Sequence, residues 1–122
     1  MKTDNVVSEK SLTFAIRIVR LYQHLTREKH EHVLSKQLLK SGTSVGANIR
    51  EALRGQSRQD FAAKMNISLK EINETEYWLE LLYRTDYITD KEFRSIFSDC
   101  KELVRILTSI VKTTRKKPNC EL

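Results

Sequence analysis

The residues of this chain best placed for chemistry are in EKHEH, where Glu28 and His32 stand four apart with His30 between them, a donor set that could hold a divalent metal. They fall inside TREKHEH, a polar cluster that interrupts an apolar pattern, so a solvated connector is the better reading. A di-metal carboxylate bundle would need two Glu-x-x-His motifs besides two further glutamates on facing helices, and the chain has none. Gly42 and Gly46 in KSGTSVGANIREA invite comparison with a phosphate-binding loop, but the GxxxxGK[ST] order is missing. No serine has the glycine-elbow context of a hydrolase nucleophile. Cys100 lies in an apolar pattern and Cys120 in a polar tail, which fits a reducing compartment and a poor disulfide framework. The reading is therefore non-enzymatic: no catalytic residue, no cofactor, no metal and no small-molecule substrate.

What remains is charge. Twenty-two Lys and Arg against 16 Asp and Glu give a net charge of +6 and point to an acidic partner. The cations recur in helical phase: Arg17, Arg20 and Arg27 with Lys10 and His24; then Lys36, Lys40, Arg50 and Arg54; then Arg94, Lys101, Arg105 and Lys112, running on into Arg115, Lys116 and Lys117. Such stripes suit backbone phosphates of RNA or structured DNA. Sequence readout is not expected, because there is no helix-turn-helix spacing, zinc ligand set or aromatic platform.

The elements that must carry these stripes follow from apolar spacing. A chain of 122 residues with three glycines and one proline suits a single all-α domain, 1–122. The 3.6 period gives helices over about 8–26, 32–54, 58–84 and 90–114, with a basic disordered tail over 115–122 after the stop expected at Pro118. Leu12, Ile16, Val19 and Tyr22 form one stripe of the first helix and Phe14, Ile18, Leu21 and Leu25 another, so that helix is expected to be buried between two neighbours. Ser57 ahead of Asp60 and Thr89 ahead of Glu92 are start signals for the third and fourth helices. Short connections make neighbours antiparallel, hence an up-down-up-down four-helix bundle. No signal peptide or membrane span is apparent, and a cytoplasmic location is expected.

KSGTSVGANIREA is in phase with the second helix, since Leu34, Leu38, Ser41, Val45, Asn48 and Ala52 follow a 4,3,4,3,4 spacing. Helical glycines cost roughly 1 kcal/mol each against alanine, so Gly42 and Gly46, with Ile49 and Leu53, should form a groove for a close neighbour. Ser44, Asn48 and Glu51 share a stripe that faces Glu71 and Glu74 of the third helix. Carboxylates among apolar side chains need partners, so a polar layer is expected in which Ser44 and Asn48 meet Glu71 or Glu74.

The run SxxxNIxEA (Ser44, Asn48, Ile49, Glu51, Ala52) followed by SRQDFAAKMNISLKEINETEYWLELL (Ser57 to Leu82) resembles the bacterial four-helix-bundle proteins encoded in intervening sequences of 23S rRNA genes, once labelled ribosomal S23-like. The likeness extends from the first helix to about Val111, and is specific at Asn48, Asp60, Phe61, Lys70, Glu71, Glu74, Thr75, Trp78 and Leu79. Gly46 departs from it, standing where many members carry proline or another small residue. The resemblance implies an antiparallel bundle, a homopentamer, no known catalytic residues, and kinship with the nucleic-acid- and reverse-transcriptase-binding accessory protein of diversity-generating retroelements. Two functions are expected from these strands of argument. The first is a homo-oligomeric nucleic-acid-binding accessory protein; the alternative is a scaffold docking an acidic protein partner such as a reverse transcriptase or ribosomal component.

Overall fold

The computed structural model describes residues 2–121, with side chains described over 4–115. Four helices follow one another: α1 (Lys2–Arg27), α2 (Leu34–Leu53), α3 (Arg58–Arg84) and α4 (Asp90–Glu121). There is no strand among the described residues. Consecutive helices pack against each other and α1 returns to α4, closing an antiparallel bundle. The direction is visible in paired contacts, where Thr75 meets Ser41 while Ser68 meets Val45, one index falling as the other rises.

The helix limits differ from the sequence expectation at both ends of the chain. α1 starts at Lys2 rather than about 8, because Val7 is fully buried and extends the apolar seam by another turn. α4 continues to Glu121, past Pro118, where a disordered tail was expected from 115. Proline's φ is already helical, and its cost falls on one hydrogen bond close to the helix end. The side chains of Lys116, Lys117 and Cys120 lie outside the described residues.

Local chemistry sets the turns. Thr89 and Glu92 form a reciprocal capping box, Thr89 N donating to Oε1 at 2.8 Å and Glu92 N to Oγ1 at 3.1 Å. Ser57 caps α3 by accepting from Asp60 N at 3.0 Å. α3 ends with Asp86 in the left-handed region (φ 68°) and Tyr87 N donating to Leu82 O, a Schellman closure that aspartate tolerates. α2 is capped from upstream. Glu31 Oε2 accepts from the N–H groups of Val33 (3.1 Å) and Leu34 (2.9 Å), and Oε1 from that of Ser35 (2.7 Å). Burial pushes the Glu31 carboxyl up, yet these backbone donors and the Ser35 hydroxyl more than offset it, and the net position is below the ordinary value. The connector's one strongly engaged group is thus Glu31, a structural carboxylate between the Glu28 and His32 that could have suggested a metal. Among the described residues no group of three His, Cys, Asp or Glu could hold an ion.

The core runs the length of the bundle through Phe14, Ile18, Leu38, Val45, Ile49, Met65, Ile72, Leu79, Leu103 and Leu107. α1 and α2 approach closely at the small-residue stretch, where a Cβ on Gly42 would lie 2.9 Å from two carbons of Ile18. The groove expected at Gly42 and Gly46 is therefore filled by α1 of the same chain. The two stripes of α1 have different fates. Phe14, Ile18 and Leu25 are core, whereas Leu12 (42% exposed) and Ile16 (52%) face outward, so α1 is covered on one side only.

Candidate nucleic-acid interface

The basic stripes meet the bundle in different ways, because helix neighbours decide which cations are neutralised. Arg17 points across the α1–α4 seam, donating to Asp99 Oδ2 at 2.6 Å, Ser95 Oγ at 2.8 Å and Ser95 O at 3.3 Å. Lys101 is held by Glu76 of α3 at 2.7 Å and stands 5.9 Å from the Phe97 ring centroid. Arg94 pairs with Asp90 one turn earlier, and Asp90 also accepts from Tyr83 OH at 2.7 Å. The Glu76 and Asp90 carboxylates raise Lys101 and Arg94 above their ordinary values. Of the fourth-helix stripe, Arg105, Lys112 and Arg115 remain exposed and outside any ion pair among the described residues. Arg20 and Arg27 are likewise exposed on α1.

α2 is different. Lys36, Lys40, Arg50 and Arg54 are all exposed, and none makes an ion pair among the described residues. The only acid between 34 and 53 is Glu51, and Lys64 of α3 holds it at 2.9 Å. From Lys36 to Arg54 the rise along the axis is about 27 Å, with cations roughly 6 Å apart at each end and a stretch of roughly 15 Å between. Thr43 and Ala47 fill that stretch with short side chains. Such a surface allows a polyanion to lie close along the helix, clamped at two places. It carries no aromatic ring to stack a base. One acid stands near: burial, followed by repulsion from Glu74, pushes the Glu71 carboxyl up, while Lys40 pulls it down.

The expected polar layer is not built as proposed. Ser44 Oγ donates to Lys40 O at 2.6 Å and Asn48 Nδ2 to Ser44 O at 2.9 Å, both within α2. Glu74 accepts from Trp78 Nε1 at 3.1 Å, within α3. Glu51 alone of the five bonds across the interface, to Lys64. Glu74 is exposed and Glu71 half-buried, so water can solvate both and neither demands Ser44 or Asn48. The polar groups that do join α2 to α3 sit one stripe inward. Thr75 Oγ1 lies 2.9 Å from Ser41 Oγ, and Ser68 Oγ donates to Val45 O at 2.8 Å, all fully or almost fully buried. Their signal was present, since Ser41, Ser68 and Thr75 occupy core positions of the apolar repeat where a polar residue must find a partner.

Cys100 is buried, its thiol pushed up to about 12 chiefly by desolvation, which leaves it protonated and inert. No helix among the described residues is long and apolar enough to cross a membrane.

Residues 3–109 match the family model described as 23S rRNA-intervening sequence protein. The chain is also similar to a solved structure, that of a protein of unknown function from the S23 ribosomal protein family of Bacteroides thetaiotaomicron VPI-5482. The two are 61% identical with a TM-score of 0.88, over 90% of this chain and 98% of that one. No curated protein matches.

Proposed function

The chain belongs to the 23S rRNA-intervening sequence protein family, and from that premise we propose that it is a non-enzymatic, homo-oligomeric accessory protein of the cytoplasm that holds RNA or structured DNA by its phosphate backbone. The observation that carries this reading is the α2 face. Lys36, Lys40, Arg50 and Arg54 form a strip whose one acid on the same helix, Glu51, is held by Lys64, with half-buried Glu71 of α3 near Lys40, while Arg17, Arg94 and Lys101 are occupied by carboxylates. The α2 strip is the principal track, with Arg105, Lys112 and Arg115 a second and weaker one. The outward aliphatic row of α1, Leu12 and Ile16 with half-buried Val19, is the surface by which copies associate, and repetition of the strip around an oligomer multiplies its field.

The test is binding of the full chain to a 20-base-pair duplex and to an RNA hairpin across a salt series. Affinity falls with salt at a log–log slope near 0.9 for each duplex phosphate neutralised. Reversing Lys36, Lys40, Arg50 and Arg54 to glutamate abolishes binding to unrelated sequences alike, whereas reversing Arg94 and Lys101 changes it less. No binding at low salt, or binding unaffected by the α2 reversals, refutes the reading.

A further inference from the structure

The α1–α4 seam is the least packed of the four helix pairs. Toward the end that carries the α1 N-terminus it is stitched by Lys10 to Glu102 at 3.1 Å and by Arg17 to Asp99. Toward the other end it opens into a groove of about 660 Å³. The floor is aliphatic: Leu21 from α1, Ile96 from α4 and Ile88 from the turn before α4. The lips carry one cation on each side, Arg20 on α1 and Lys91 on α4, with the His24 imidazole one turn from Arg20. Neither Arg20 nor Lys91 makes an ion pair among the described residues. Glu92, a carboxylate at the same rim, accepts from the Thr89 N–H and keeps its charge, so an acidic occupant must be met by Arg20 and Lys91. Arg20 and Lys91 thus stand on opposite lips of an apolar trough, a charge pattern that carboxylates flanking an aliphatic occupant would complement.

We propose that this groove docks an acidic amphipathic helix of a protein partner, its aliphatic stripe against Leu21, Ile88 and Ile96 and its flanking carboxylates on Arg20 and Lys91. Helix-in-groove recognition uses this combination of a hydrophobic trough between two helices and a charged rim. Nucleic acid fits the trough poorly, since an aliphatic floor offers no stacking surface. The site is separate from the α2 strip, so the chain can hold a polyanion on one face and a protein on another.

The probe is a stapled 14-residue helical peptide with leucines at an i, i+3, i+4, i+7 spacing and glutamates on both flanks, labelled for fluorescence anisotropy. Its controls are the same peptide with lysines for glutamates and one with the leucines scattered. The full chain binds the acidic peptide and discriminates against both controls by about tenfold or more. Lys91→Glu and Arg20→Glu, both at exposed positions, each weaken it by a similar factor, while reversal of Lys36 and Arg54 leaves it unchanged. Equal binding of the acidic and lysine peptides overturns the proposal. So does displacement of the peptide by the 20-base-pair duplex in the α2-reversed variant, which would make the groove a nucleic-acid site. A fall in solution mass on Lys91→Glu also overturns it, because a second copy would then be the occupant.

Discussion

Replacing Gly42 by alanine sets two effects of known sign against each other. Alanine is favoured over glycine within a helix by about 1 kcal/mol. The added Cβ, however, would lie 2.9 Å from both Ile18 Cγ1 and Cγ2, well inside the roughly 3.5–4.0 Å of a comfortable carbon contact. Ile18 is fully buried and β-branched on a helix, so it has one favoured rotamer and cannot swing away. Overpacking of this kind costs about 1–3 kcal/mol, which leaves Gly42→Ala destabilised by about 0–2 kcal/mol. Gly46 is the internal control. Its Cβ would meet the Ser11 hydroxyl at 3.1 Å, a rotatable group now bonded to Ser8 O, so Gly46→Ala is neutral or gains up to about 1 kcal/mol. The decisive measurement is a double-mutant cycle by urea unfolding at one protomer concentration, followed by far-UV circular dichroism. Ile18→Ala removes Cγ1 and Cγ2 at a cost of about 2–5 kcal/mol and keeps only the Cβ contact at 3.3 Å, so Gly42→Ala should stabilise that background by up to about 1 kcal/mol. The coupling is therefore about 1–3 kcal/mol and unfavourable in the wild-type background. A Gly42→Ala effect of the same sign and size in both backgrounds would refute the close-packing argument.

Two further outcomes check the capping and the polar layer. Glu31→Gln loses the carboxylate that gathers three N–H groups, costing about 1–2 kcal/mol at pH 7. Because the folded carboxyl titrates below its unfolded value near 4.3, the wild-type advantage is complete above about pH 5 and fades as pH falls through the folded value. An advantage that persists at pH 2 contradicts the assignment. Thr75→Val strands the buried Ser41 hydroxyl, whose remaining contact is Leu38 O at 3.4 Å, and lowers stability by about 1 kcal/mol. Asn48→Leu, bonded only within its own helix, changes it by less than about 0.5 kcal/mol. The reverse order of these two in a denaturant series would restore the outer polar layer.

Much of the bundle was legible in the residues themselves. Apolar spacing along α2, α3 and α4 marks the core face of each helix, since a 3.6 period admits one buried stripe, and Ser57 and Thr89 mark helix starts because capping is a contact between near neighbours in sequence. Gly42 announced a close approach for the same local reason, a cost in helix propensity that needed a return. Tertiary structure alone decided which of the cations are free. Arg17 finds Asp99, 82 positions away, and Lys101 finds Glu76, 25 away, while Lys36, Arg50 and Arg54 are exposed and outside any ion pair among the described residues. A helical period gives the face a residue occupies but not the rotation or axial offset of the neighbouring helix. Those are set by the packing of the whole core, and a shift of one turn would change every charge pair between helices. The same freedom moved the polar layer inward from Asn48 and Glu71 to Ser41 and Thr75, and left the α1–α4 seam open where two cationic lips face each other across Leu21 and Ile96.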